Sequence, residues 1–230
     1  MREFWRYMNI VYEKLMLALF VMALLIVMYA AYDTWYVFEH ADDRSFLKYK
    51  PDGTNAAVIE DSPISSDMVG WITVDGTPID YPVMQGEDNN KYLNLDPFGE
   101  YSLSGSIYLD SRNSGDFTDP YSLIYGHHME YRKMFGALDD FLDKDYLASH
   151  RKGQLLVGRD GSVSYELELF YAMITDAKTK EVFDPDKSDD LRQFLKEQGF
   201  DRDERIICLS TCADGDSTTR TAVFAYILEK

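Results

Sequence analysis

Cys208 and Cys212 are the only two thiols in the 230 residues, and Cys212 stands where a nucleophile is useful. It closes the apolar, β-type run Ile206-Ile207-Cys208-Leu209-Ser210-Thr211 and opens onto Ala213-Asp214-Gly215-Asp216-Ser217, a polar loop with a glycine. A rigid strand ending at a loop is a good mount for a reacting group. A thiol attacks as thiolate, and its free pKa of about 8.5 calls for a neighbouring cation or base. Of the four histidines, His40 follows the apolar N-terminal stretch and His150 sits in a polar Ser-His-Arg-Lys turn, positions that suit solvated surface. His127 and His128 follow Leu123-Ile124-Tyr125-Gly126. A glycine directly after a strand lets the backbone turn sharply, so the first of the pair is expected to project from a rim. Both follow the same turn, and chemistry alone does not choose between them. Arg220 opens the last strand, eight residues beyond Cys212. A hairpin-like return would bring those strand ends together and place a permanent charge where it can donate to an oxyanion or a substrate carbonyl.

Each of these residues also has an ordinary structural role. A free cysteine is commonly a small buried hydrophobe, the reading that suits Cys208 inside its strand, and a strand-end arginine can simply face water. A zinc site is poorly supported, because adjacent histidines on a strand point to opposite faces and the cysteines lack the two-residue spacing of zinc knuckles. On one extended strand the two cysteine α-carbons would lie roughly 13 Å apart, beyond the roughly 7 Å limit for a disulfide. No metal and no cofactor is expected.

The elements that must position these groups are mostly short strands. Gly70–Val74 and Ile79–Met84 flank Asp75-Gly76, a hairpin signature. Further strands are expected at Gly105–Leu109, Ser122–Tyr125, Gln154–Val157, Val163–Ile174, Arg205–Leu209 and Thr221–Leu228. Helical spacing of Met134, Leu138, Phe141 and Leu142 predicts a helix over Lys133–Leu142, and a second is predicted at Ser188–Gln198, with Ser188 as its N-cap and Gly199 as its stop. Short strands with turn signals argue for a closed or nearly closed β-barrel carrying peripheral helices.

Before this domain, Leu15–Tyr32 reads eighteen residues without a charge, long enough for a transmembrane helix and longer than the apolar core of a signal peptide. Arg2, Arg6 and Lys14 precede it, whereas Asp33, Glu39, Asp42 and Asp43 follow before Arg44, a bias that predicts a cytoplasmic N-terminus over residues 1–14. The chain then divides into a membrane anchor at 15–32, a stalk with helical character at 33–65 and an exported domain at 66–230. A net charge of -17, from 23 basic and 40 acidic residues, disfavours nucleic acid and anionic lipid as partners. An apolar share of 46% supplies a core.

Taken together, Leu209-Ser210-Thr211-Cys212, the downstream Arg220 and the upstream Tyr125-Gly126-His127 resemble the signature elements of sortases. Gly70-Trp71-Ile72, Ile79-Asp80-Tyr81-Pro82-Val83, Asp88-Asn89-Asn90-Lys91-Tyr92-Leu93 and Gly105-Ser106-Ile107-Tyr108-Leu109-Asp110 are similar to class B sortases in order and spacing. Cys208 departs from the threonine common at the start of that family's cysteine motif. The resemblance implies an eight-stranded sortase barrel behind an N-terminal transmembrane helix, and a cysteine transpeptidase at the cell surface. Its donor would be the sorting-signal peptide of a secreted protein, and its acceptor an amine of the peptidoglycan cross-bridge or a pilin lysine. Cys212 would be the nucleophile, His127 the acid and base, and Arg220 the group that steadies the oxyanion or peptide. Asn89, Leu93, Ser210 and Thr211 match positions near the family's substrate groove. A cysteine hydrolase and a membrane-tethered binding module are the competing readings.

Overall fold

The computed structural model describes residues 1–41, 44–52, 62–212 and 218–229, which fall into two compact units, Met1–Asp42 and Asp43–Lys230. The first unit is one helix, α1 (Arg2–Ala41). At about 1.5 Å per residue its 40 residues run about 60 Å. Its Arg2–Tyr36 stretch is, among the described residues, the one helix long and apolar enough to cross a membrane, and none of its most apolar window is buried in the protein.

The second unit is a closed barrel of eight strands. They are β1 (Met68–Val74), β2 (Asp80–Met84), β3 (Ile107–Leu109), β4 (Tyr121–His127), β5 (Lys152–Val157), β6 (Val163–Asp176), β7 (Arg205–Cys212) and β8 (Thr219–Glu229). Around the barrel the order is β1-β2-β3-β4-β7-β8-β6-β5, and β5 pairs back onto β1. Only β2 with β3 and β4 with β7 run parallel, and parallel neighbours need long crossovers. The crossover from β4 to β7 carries β5, β6 and several helical segments, so residues 85 positions apart in sequence, His127 and Cys212, become register partners.

All eight expected strands form, and β1 and β2 turn at Gly76, which takes a φ of 74°. The strands β4, β7 and β8 are buried on both faces. Ile207, Leu209, Val223, Ala225 and Ile124 join the larger core with Trp71, Ile72 and Phe135. Their alternating neighbours Ile206, Cys208, Ala222, Phe224 and Leu123 join a second cluster with Val182, Leu191 and Leu195. Burial on both faces explains why β7 reads as a continuous apolar run.

The helices differ from expectation in four places. Phe135–Leu142 forms a 3-10 helix and not an α-helix: its large buried side chains, Phe135, Leu138 and Phe141, repeat every three residues, with the small Ala137 buried beside them and Leu142 exposed. A period of three matches the eclipsed i, i+3 geometry of that helix. A separate helix, α2 (Lys144–Ser149), follows it, with the Asp143 carboxylate accepting from the amides of Asp145 and Tyr146. After α3 (Lys180–Phe183) comes α4 (Ser188–Glu197), in which Ser188 is already helical and does not act as the N-cap. The 3-10 turn Pro185–Lys187 runs straight into it, leaving Lys187 at the cap position without a side-chain capping hydrogen bond. Gly199 ends α4 as expected, at a φ of 94°.

Of the expected stalk, residues 33–41 continue α1, while 53–61 lie outside the described residues. Ser45–Tyr49 forms a 3-10 turn that packs on the barrel. Phe46 inserts between Trp71 and Tyr81, with both ring centroids 5.8 Å away. Lys50 donates to Asp80 at 2.7 Å, and Arg44 donates to the Pro78 carbonyl at 2.7 Å.

Candidate active site

The histidine, the arginine and the cysteine position meet at one end of the β4-β7-β8 sheet. In the parallel β4–β7 ladder His127 is the register partner of Cys212, with Gly126 opposite Thr211 and Tyr125 opposite Ser210. Hydrogen-bonded strands lie about 4.8 Å apart, so the backbone holds the two positions as immediate neighbours. On the other side of β7 the antiparallel ladder with β8 ends at Ser210 and Ala222. Beyond it two bonds involving side chains take over. Arg220 Nη1 donates to the Thr211 carbonyl at 2.8 Å, and the Thr221 amide donates to Thr211 Oγ1 at 3.1 Å.

Gly126 does not turn the chain. β4 runs through it to His127, and the glycine is needed for space: a Cβ there would come within 2.4 Å of Ile107 Cδ1 and 2.8 Å of the Phe135 ring. The two histidines part company after it. His127 Nε2 lies 2.8 Å from the Leu93 carbonyl oxygen, and His128 Nε2 lies 2.7 Å from Asp139 Oδ2. A carbonyl can only accept, so Nε2 of His127 carries a proton and Nδ1 is the nitrogen left to exchange one. His150 stacks on Tyr146 at 3.9 Å between centroids and is half-buried, more engaged than a solvated histidine.

The Arg220 guanidinium carbon sits 5.8 Å from the centre of the Phe183 ring, within the range of a cation–π contact. Phe183 belongs to a segment fastened to the barrel by Arg112, which donates to Asp184 at 2.9 Å and to the Phe183 carbonyl at 3.3 Å. Arg112 is itself gripped by the fully buried Asp110 through Nε and Nη2, both at 2.9 Å. Burial works to raise the Asp110 pKa, but the Arg112 side chain and backbone amide, with Asn89, hold it below the usual carboxylate value. Tyr125 donates to the same carboxylate at 3.2 Å, and burial together with that negative charge pushes its hydroxyl far above the ordinary tyrosine value.

Matching covers most of the domain: the family model described as the sortase domain fits residues 72–228. The chain belongs to the sortase family. Sortase B of Listeria monocytogenes is 38% identical over 160 residues, which make up 65% of this chain and 64% of that protein. Among solved structures, a Streptococcus pyogenes class B sortase involved in pilus biogenesis is 38% identical, with a TM-score of 0.62 over 71% of this chain and 94% of that one. The Staphylococcus aureus sortase B–substrate complex is 29% identical, with a TM-score of 0.66 over 88% of this chain and 99% of that one. The resemblance to class B sortases and the eight-stranded barrel are therefore both met.

Within this sortase the remaining expected site residues divide by what holds them. Ser210 and Thr211 are buried in β7, and Ser210 Oγ donates to the Thr211 carbonyl at 3.2 Å. Asn89 spans a loop, donating to Asp110 at 3.0 Å and accepting from the Ser111 amide at 2.7 Å. Leu93 is half-buried against the core and reaches the site through its carbonyl. Cys208 is fully buried, and burial pushes its thiol up to about 12. Sequence reasoning does not find Asp139, Thr221, Asp110 or Arg112. Asp110 alone carries a signal, as the last residue of the segment Gly105–Asp110 that is similar to class B sortases. The Leu93 carbonyl can carry none, since every residue has one.

Proposed function

We propose that this sortase is a cysteine transpeptidase that cleaves the C-terminal sorting signal of a secreted protein through a thioester on Cys212 and passes the acyl group to an amine of cell-wall peptidoglycan. The observation that carries this reading is the register pairing of His127 with Cys212, one residue from a carbonyl held by Arg220.

In the first step the Cys212 thiol passes its proton to His127 Nδ1, the thiolate sulfur attacks the scissile carbonyl carbon, the C–S bond forms and the peptide C–N bond breaks. His127 gives a proton from Nδ1 to the leaving amine, its ring oriented by the Leu93 carbonyl on Nε2. In the second step the incoming amine attacks the thioester, a new C–N bond forms, the thiolate leaves and His127 takes the amine's proton. Arg220 supplies a permanent charge and donors for the oxyanion or the bound peptide. No metal or cofactor enters the balance.

The candidate span Arg2–Tyr36 supports anchoring, and the basic residues before it favour a cytoplasmic N-terminus with the barrel outside. Exposed Tyr29, Tyr32, Trp35 and Tyr36 near the far end of the span suit an interfacial aromatic belt. A second acceptor, a pilin lysine, is favoured by the likeness to the pilus-biogenesis enzyme of Streptococcus pyogenes.

The test is mass spectrometry of the full-length chain with a library of sorting-signal peptides, with and without oligoglycine or lysine-containing acceptors. An adduct on Cys212 and an amine-ligated product are expected, both absent in Cys212→Ala. Turnover without ligation would make the chain a hydrolase, and no adduct with any peptide would leave a binding module. A product joined only through lysine would select pilus assembly.

A further inference from the structure

Asp139 lies in the 3-10 helix Phe135–Leu142, outside the strands that carry the reacting groups, yet its two carboxylate oxygens bridge them. Oδ1 accepts from Thr221 Oγ1 at 2.6 Å, and Oδ2 lies 2.7 Å from His128 Nε2. A carboxylate accepts, so His128 donates here. Thr221 is buried and follows Arg220, and its amide donates to Thr211 Oγ1; His128 directly follows His127. The links form a ring: Cys212 to Thr211 along β7, Thr211 to Arg220 and Thr221 across the open end of the ladder, Thr221 to Asp139, Asp139 to His128, and His127 back to Cys212 through the β4–β7 register.

We propose that Asp139 is a positioning residue for transfer: it ties the β8 end that carries Arg220 to the β4 end that carries His127, across a gap that no backbone ladder closes. The β7–β8 register stops at Ser210 and Ala222, so, with His127 and Cys212 held together by the β4–β7 ladder, the placement of Arg220 against that pair is left on the β7 side to side-chain contacts. Asp139 acts through its neighbours: among the described residues its carboxylate bonds to Thr221 and His128, the residues that follow Arg220 and His127. Its hydrogen-bonded pair with His128 is half-exposed, with side-chain exposures of 47% and 37%. Such a pair adds little to fold stability, so its removal should leave the fold and disturb the geometry, and small misplacements of reacting groups cost rate steeply.

The proposal rests on the reading of Cys212 and His127 as the reacting pair, and the experiment separates the two. The purified full-length chain is compared with Asp139→Ala, Thr221→Val, the double variant and Asp139→Asn, by peptide turnover and by the rate at which iodoacetamide alkylates Cys212. Asp139→Ala and Thr221→Val are each expected to lower kcat at least about tenfold with KM within about twofold, the pattern of a lost transition-state arrangement. The double variant should fall no more than about twofold below the worse single one, because both cut the same link. Asp139→Asn keeps an acceptor for Thr221 and turns an amide N–H toward His128 Nε2, which accepts it in the ring's other neutral tautomer, so kcat should recover to within about threefold, which a need for charge would not allow. Alkylation of Cys212 should slow in Asp139→Ala and recover in Asp139→Asn, and this readout stands even if no peptide in the library is a substrate. Unchanged kcat and alkylation in Asp139→Ala, or additive losses in the double variant, would overturn the proposal. A wild-type chain that turns over no peptide and whose Cys212 reacts no faster than a free thiol would overturn the underlying reading and the positioning role with it.

Discussion

The two ends of β7 are held by different forces. From Arg205 to Leu209 the strand is laddered to β8, from Ile206 onward it is laddered to β4 as well, and Ile206 to Leu209 are buried on alternate faces in two separate cores. Beyond Ser210 the ladder to β4 continues as far as Cys212, but the ladder to β8 has ended and Thr211 is held on that side by Arg220 and the Thr221 amide. Side-chain bonds let the strand ends diverge where a ladder would keep them closed. Stability is therefore concentrated in the first part of the strand and the proposed chemistry at its last residue. Substitutions along one strand should separate the two.

The largest effect is expected deep in the laddered part. Phe224 is fully buried in the second core and is the register partner of Cys208. Phe224→Ala should cost about 3–5 kcal/mol of unfolding free energy, the usual range for a truncated core aromatic. The midpoint of urea unfolding checks it, and the variant that remains folded should keep its kcat. A large fall in kcat in the folded variant would mean that the two ends are coupled, and the comparison would fail.

At the open end the balance should reverse. Arg220→Lys keeps a positive charge but loses the planar fork that donates to the Thr211 carbonyl and lies over Phe183. Transfer should slow by roughly a hundredfold, about 2.7 kcal/mol of barrier, comparable to the loss of one oxyanion donor. The unfolding midpoint should hardly move, because the residue is half-buried and at the end of its strand. A matching loss of stability with little loss of rate would make Arg220 a structural strand-end residue.

The same division governs how much of the molecule is legible in its amino-acid sequence. The barrel is legible because its strands are short apolar runs bounded by Gly and Asp turns, and Ile206–Thr211 announces a strand buried on both faces. The 3-10 helix passes for an α-helix because Phe135, Leu138 and Phe141 repeat every three residues, close to helical spacing. His127, Cys212 and Arg220 stand out by chemical type, and the resemblance to sortases orders them. Asp139 and Thr221 cannot stand out: one acid among 40 acidic residues and one threonine in a strand become partners only when a 3-10 helix is laid across the end of β8. Gly126 draws notice as a turn residue, whereas the demand on it is the space taken by Ile107 and Phe135.

The smallest effect tests whether the two cysteines are as different as their places on β7 make them. Cys208 is buried in the second core with its thiol held neutral well above physiological pH, and its neighbours there are Tyr121, Leu123 and Phe224. It behaves as a small hydrophobe, so Cys208→Ala should remove one sulfur's worth of packing, about 1 kcal/mol. The denaturation midpoint should fall slightly with no change in slope, and kcat should stay at the wild-type value. Alkylation sharpens the same point: under native conditions one equivalent of iodoacetamide should react at Cys212, and a second should react only as fast as the barrel unfolds. Rapid labelling of Cys208 in the folded chain would show that the laddered part of β7 opens as readily as the other end, and the contrast between them would be lost.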